Sequence, residues 1–211
     1  GHPLLDQILH RMRDPLFFRK HDIPEEPVVA VLPGSRKQEI KRNLNVMLSL
    51  ASDFRECQFV VACAPGIEKS FYDRFPREQN INYIYNKTYE ILQNSVAAIV
   101  TSGTATLETA LFQVPQIVCY KGSVLSYFIA KRLIRVKYIS LVNLILNRSV
   151  VPELIQFRFS KKHLLPVLDR LLYNNDYRMQ MLEDYSQLLE LLGEEGASER
   201  AAQKILALTG I

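Results

Sequence analysis

Ala97-Ala-Ile-Val-Thr-Ser-Gly-Thr-Ala-Thr-Leu-Glu-Thr-Ala-Leu-Phe112 opens as an apolar run, passes through the small-residue loop Thr101-Ser102-Gly103-Thr104, and continues at helical period. A continuous apolar run that ends at a glycine turn and feeds a helix describes a strand buried on both faces, the building unit of parallel α/β sheets. The free backbone N–H groups at such a helix start, together with the helix dipole and the nearby hydroxyls, make an anion site suited to a diphosphate. Glu108 lies one turn further in, where a carboxylate can hold the two hydroxyls of a ribose. The same residues also fit a plain small-residue helix start with a solvated Glu108.

The alternation continues on both sides of this stretch. Strand-like runs fall at 28–32, 58–63, 82–85, 97–100, 116–120 and 138–141, with longer segments of helical period between them. Ile40, Leu44, Met47, Leu48, Ala51 and Phe54 share one helix face and should pack on the sheet. After Ser160 the pattern is helical only, with one stripe through Leu164, Leu168 and Leu171 and a second through Met181, Tyr185 and Leu188. A break at 193–196 precedes a last helix over 198–208. The fold class is therefore α/β, a Rossmann-like parallel sheet with flanking helices and extra C-terminal helices. Residues 1–27 read as a short helix and a linker, and residues 28–193 as the nucleotide-binding domain.

Val28-Val-Ala-Val-Leu-Pro-Gly-Ser-Arg-Lys-Gln-Glu39 is a second strand-to-helix turn. Ser35 with Gln38 three places on predicts a capping box. Gly34 would let a bound group approach the backbone, and Arg36 would bring a positive charge to it. A good turn needs no ligand to explain it, so both readings stand. The segment 120–138 places Val124, Leu125, Phe128 and Leu133 beside Lys131, Arg132, Arg135 and Lys137. It reads either as a helix resting on anionic lipid or as a core helix with a solvated basic face. Asn143, Glu153 and Gln156 are polar groups in apolar surroundings, and buried polar groups need partners, from backbone or from ligand.

With 211 residues, 48% of them hydrophobic and 23% charged, the chain can build one full-sized core. No apolar run approaches the roughly 20 residues needed to cross a bilayer, and no export signal opens the chain. Cys57, Cys63 and Cys119 are an odd number set in or near apolar runs, which predicts reduced, core-type thiols and a cytoplasmic protein. The four histidines have no ligand spacing, so no metal is expected. The net charge of +4 and pI near 8.9 suit an anionic partner. Nucleic acid is disfavoured, because the basic residues do not interleave with aromatics along a groove-like stretch. No Gly-Lys-Ser/Thr follows the loop glycine and no Gly-x-Gly-x-x-Gly occurs, so ATP hydrolysis and NAD binding lose support.

Leu32-Pro-Gly-Ser-Arg36, Thr101-Ser-Gly-Thr-Ala-Thr-Leu-Glu108, Tyr138-Ile-Ser-Leu-x-Asn-Leu144 and Val151-Pro-Glu-Leu-x-Gln156, in this order and spacing, resemble the lipid-A-disaccharide synthase family. Gly1-His2-Pro3-Leu4 is similar to that family's junction between two domains, which favours a native cut over a tag remnant. The resemblance departs at Val142, where the family often has proline.

The resemblance implies the C-terminal half of a GT-B glycosyltransferase, with the donor nucleotide held in this half. It implies transfer of 2,3-diacylglucosamine from its UDP conjugate to 2,3-diacylglucosamine 1-phosphate, with no metal and no cofactor. By motif it places Gly34, Ser35 and Arg36 near diphosphate and sugar, Ser102, Gly103 and Thr104 on phosphate, and Glu108 on the ribose. Asn143, Glu153 and Gln156 would line the donor site or face the neighbouring domain. The general base is expected in an N-terminal domain absent from this chain, so the chain alone should bind nucleotide without catalysing transfer. Residues 194–211 are expected to pack on that missing domain, a homodimer through them being the other outcome. A peripheral position on the cytoplasmic face of the inner membrane is also implied. Two alternatives remain: another UDP-sugar transferase or epimerase, separated by its acceptor, and a non-catalytic nucleotide-binding module, separated by the lack of an upstream domain.

Overall fold

The chain, seen in a computed structural model, is described over residues 2–122 and 137–209. The helix expected across 120–138 lies mostly outside the described residues. Six strands form one sheet: β1 (Val28–Leu32), β2 (Gln58–Cys63), β3 (Ile81–Tyr85), β4 (Ala97–Thr101), β5 (Gln116–Tyr120) and β6 (Glu153–Ile155). Their spatial order is β3-β2-β1-β4-β5-β6, with every neighbouring pair parallel. Every residue of β1, β2 and β4 is buried, which explains why these strands are nearly unbroken apolar runs rather than alternating ones. The chain winds outward from β1 to β3, then returns to the other side of β1 as β4. The two directions part between the carboxyl ends of β1 and β4, where α/β sheets open a crevice.

One face of the sheet is covered by α2 (Lys37–Leu48), α5 (Thr104–Leu111), α7 (Lys161–Tyr173) and α8 (Asn175–Leu192). The stripe predicted for α2 is buried throughout, including Ala51 and Phe54 beyond its end. The other face, carrying Val28, Ala30, Leu32, Val60, Ala98 and Val100, is covered by Ile91 and Leu92 of α4 (Thr88–Gln93) and by Phe17 and Ile23. The segment before β1 is thus docked rather than a free linker, because its apolar side chains close a sheet face that would otherwise meet water. Leu5 and Ile8 of α1 (Pro3–Ile8) are buried as well. Between β2 and β3 lies the short α3 (Lys69–Tyr72). The last helix, here α9 (Ala197–Thr209), starts beside α1: Asp6 accepts the Gly196 N–H at 2.7 Å, and His10 meets Glu195 at 2.7 Å. The three cysteines are free and buried, and burial pushes the Cys57 thiol up to about 11 and Cys63 to about 12.

The structure departs from the sequence reading at 138–141, which is not a strand. The Ile139 and Ser140 N–H groups donate to the Glu153 carboxylate at 3.0 Å each, so they are withdrawn from any ladder. Ser140 instead caps α6 (Leu141–Leu146) by accepting from the Asn143 N–H at 3.2 Å, and the sixth strand forms later, around Glu153. Asn143 locks this connection. Its Oδ1 accepts the N–H groups of Val150 and Val151 at 2.8 and 2.9 Å, and its Nδ2 donates to the Val151 carbonyl and to Glu153, both at 2.9 Å. Asn143→Ala should leave the buried Val151 N–H unpaired, take one of two acceptors from the Val150 N–H, and lower the unfolding free energy by about 1–3 kcal/mol in urea denaturation.

Candidate functional site

A cavity of about 400 Å³ opens at the carboxyl ends of β1, β2 and β4, at the point where the winding reverses. Gly34, Ser35, Arg36 and Glu39 form one wall, Leu32, Ala62 and Thr101 the floor, and Ser102, Gly103, Thr104 and Glu108 the opposite wall. Seven of the ten residues singled out in the sequence therefore meet here. The two turns are tied from behind by the buried Asn43 of α2, whose Nδ2 donates to the Pro33 carbonyl at 3.3 Å and to the Thr101 hydroxyl at 3.0 Å.

The two helix starts facing the cavity differ in what they can offer a ligand. Helix α2 begins at Lys37 with Arg36 as its N-cap, one residue later than the Ser35–Gln38 box predicted. The capping carboxylate is that of Glu39, which accepts the N–H groups of Ser35 at 3.1 Å and of Arg36 at 3.3 Å. Gly34 makes this possible: it sits at φ +114°, and a Cβ there would fall 2.7 Å from Glu39 Oε2 and 2.8 Å from Glu39 Cβ. The N–H groups of Ser35 and Arg36, which lead into this helix, are taken by the protein's own carboxylate. What the first wall presents is the exposed Arg36 guanidinium, held loosely at 3.8 Å from Glu39.

Helix α5 is open. Its N-cap, Gly103, has no side chain to turn back on the backbone, and the first-turn N–H groups of Thr104 and Ala105 have no carbonyl a turn behind them. Among the described residues nothing beyond its chain neighbours lies within 4 Å of where a Gly103 Cβ would be. Ser102 contributes differently from the expectation that it gives its hydrogens to phosphate. Its N–H donates to the Cys119 carbonyl at 2.9 Å and its hydroxyl to the Ile139 carbonyl at 2.8 Å, so both are engaged in holding the loop.

Glu108 is half-buried in the far wall, and desolvation raises its carboxyl above the ordinary carboxylate value while the Tyr89 hydroxyl, donating to it, pulls the value back. Thr88 and Ala64-Pro65, which also line the cavity, were not singled out in the sequence. Each follows the end of β2 or β3, so the rule that ligands meet the carboxyl ends of strands could have found them. Among the described residues no three His, Cys, Asp or Glu side chains cluster as a metal site would need.

This geometry can be set beside known proteins. Over residues 1–208 the chain matches the lipid-A-disaccharide synthetase family. The chain belongs to the lipid-A-disaccharide synthase family. A lipid-A-disaccharide synthase of Syntrophus aciditrophicus (strain SB) is 39% identical over 217 residues, covering 99% of this chain and 56% of that protein. The chain spans about half the length of the curated relatives it matches. Solved structures share the fold at low identity. The glycosyltransferase SnogD from Streptomyces nogalater has a TM-score of 0.54 at 20% identity, over 87% of this chain and 44% of that one. S. aureus MnaA, in a co-structure with UDP, has a TM-score of 0.60 at 12% identity, over 95% and 50%. The fold is that of one Rossmann-like half of a GT-B glycosyltransferase.

The two later motifs by which the sequence resembles lipid-A-disaccharide synthases do not reach this cavity. Asn143 and Glu153 spend their polar groups on the β5–β6 connection, as described above, and neither lines the pocket. Gln156 follows β6 with φ +53°, a conformation uncommon for a side-chain-bearing residue, and its buried Nε2 has no hydrogen-bond partner among the described residues. The contrast between the two glycines is directly testable. Gly34→Ala should lower stability by about 1–3 kcal/mol, since the new methyl meets Glu39 in a left-handed backbone. Gly103→Ala, with an open space before it, should stay within about 0.5 kcal/mol of the parent in thermal melts.

Proposed function

We propose that this chain is the donor-binding, C-terminal part of a lipid-A-disaccharide synthase. The full enzyme would transfer 2,3-diacylglucosamine from UDP-2,3-diacylglucosamine to 2,3-diacylglucosamine 1-phosphate, giving the β-1,6-linked disaccharide 1-phosphate and UDP. The observation that carries this reading is the pairing, in one cavity, of an uncapped helix start with a half-buried glutamate one turn along the same helix. The first suits the diphosphate and the second the ribose, in the order a nucleoside diphosphate presents them.

In this reading the N–H groups of Gly103, Thr104 and Ala105 and the Thr104 hydroxyl hold the phosphates, and Arg36 closes on them from the opposite wall. As the glycosidic bond breaks, negative charge grows on the diphosphate. Donors already aimed at that place stabilise the leaving group without rearrangement. The start of α2 is poorly placed for a second phosphate, because the Glu39 carboxylate holds the Ser35 and Arg36 N–H groups and would repel the charge. Of the two carboxylates lining the cavity, Glu39 is engaged with the turn before α2 and Glu108 is assigned to the ribose; the general base is placed in an N-terminal domain, and nucleotide binding without transfer is expected from this chain alone. No metal or cofactor enters the reading. The enzyme would act at the cytoplasmic face of the inner membrane as a peripheral protein, where its acylated substrates reside; among the described residues no helix is long and apolar enough to cross a membrane.

Calorimetric titration and thermal melts with UDP, with ADP as control, test the proposal. Selective UDP binding should appear, with about 2.7 kcal/mol of added stability at 100 times the dissociation constant. Glu108→Ala should weaken UDP binding, because it removes the carboxylate that holds the ribose. Equal response to both nucleotides, or none to either, would count against the donor-site reading.

A further inference from the structure

The hydroxyl groups along β4 and α5 fall into two kinds. Ser102, Thr106 and Thr109 each give their hydrogen to a backbone carbonyl of the chain itself, those of Ile139, Gly103 and Ala105, at 2.8, 2.8 and 2.7 Å. Thr101 is reversed. Its Oγ1 accepts from the Asn43 Nδ2 at 3.0 Å, and among the described residues its own hydrogen has no acceptor. Thr101 is the last residue of β4, is 7% exposed and borders the cavity. A free donor therefore stands in the cavity floor, directly before the loop that leads into α5.

Asn43 accounts for the reversal. Its amide can face the Pro33 carbonyl only with its nitrogen, because a carbonyl oxygen accepts and does not donate, so the bond at 3.3 Å fixes which way the group is turned. The same nitrogen meets Thr101, and a hydroxyl that receives an N–H turns its own hydrogen elsewhere. The Oδ1 end is buried without a partner among the described residues. A leucine of similar size would avoid that cost, so what the amide contributes is the placement of the two turns and of the Thr101 hydrogen.

We propose that Thr101 is a further binding residue of the cavity, its hydroxyl donating to a phosphate oxygen of the bound nucleotide, and that Asn43 is the positioning residue that holds it in this sense. The inference rests on the nucleotide reading given above. It adds a side-chain donor from β4 to the N–H groups at the start of α5. A hydrogen bond from a hydroxyl to a charged oxygen is stronger than one between neutral groups, and more so where little water competes. Ser102, whose hydrogen is already given to the Ile139 carbonyl, is replaced in this role by its neighbour one residue earlier.

The test is UDP affinity of the full chain by calorimetry, with the phosphorus-31 spectrum of UDP at saturation, for the parent, Thr101→Val, Thr101→Ser, Asn43→Leu and the double variant Asn43→Leu with Thr101→Val. Thr101→Val keeps the side-chain shape and should bind UDP about tenfold more weakly. It should also move a phosphorus resonance of the bound nucleotide, and Thr101→Ser, which restores a hydroxyl, should recover both. Asn43→Leu should weaken binding too, and the double variant should bind about as weakly as the weaker single one, because the amide acts through the hydroxyl. A Thr101→Val chain with the parent's affinity, a loss that serine does not recover, or a loss with both phosphorus resonances unmoved overturns the binding role. Losses that add in the double variant overturn the positioning role of Asn43. Failure of the parent to bind UDP overturns the nucleotide reading and this inference with it.

Discussion

The adjacency of β1 and β4 is the constraint on which the site depends. Distant in sequence, the two strands are side by side because the winding reverses between them, and their turns therefore open toward each other. A single buried amide, Asn43, fixes the spacing by bonding to the end of one turn and to the last residue of the other strand. Its Nδ2 makes both bonds, while its buried Oδ1 has no partner among the described residues, so only part of the cost of burying the amide is recovered. Everything the cavity presents is displayed from that joint.

From this frame the electrostatics divide cleanly between the walls. Both helices point their positive ends at the same space, which would invite two anions or one anion bridging both. Glu39 works against one of these options, because its carboxylate holds the Ser35 and Arg36 N–H groups and sets a negative charge at the start of α2. The cavity presents the start of α5, the exposed Arg36 guanidinium, Glu39 engaged with the turn before α2, and the half-buried Glu108 on the far wall. That asymmetry suits a ligand with a diphosphate at one end and a neutral, hydroxyl-bearing group at the other. It would suit a bare polyphosphate less well, because the glutamate would oppose it.

Much of this was legible in the residue order. The uninterrupted apolar runs of β1, β2 and β4 announced strands buried on both faces, and the small residues 101–104 announced the helix start that proves to be open. Two kinds of feature were hidden. Ser35 and Glu39 exchanged roles because the left-handed Gly34 delays the helix by one residue, and nothing in the local pattern distinguishes Gln38 from Glu39 as the cap. The stretch 138–141 has the composition of a strand, but its N–H groups are claimed by Glu153, a tertiary partner that local pattern does not reveal. The same partner explains why Asn143 and Glu153, polar residues in apolar surroundings, satisfy each other and the backbone.

The central claim is that the start of α5, and not that of α2, receives the diphosphate. Amide-resolved nuclear magnetic resonance of the nitrogen-15-labelled chain during a UDP titration tests it most directly. The account predicts that the largest shifts fall on the N–H groups of Gly103, Thr104 and Ala105, with those of Ser35 and Arg36 little changed because Glu39 keeps them. Shifts concentrated at Ser35 and Arg36, with the start of α5 silent, would contradict it.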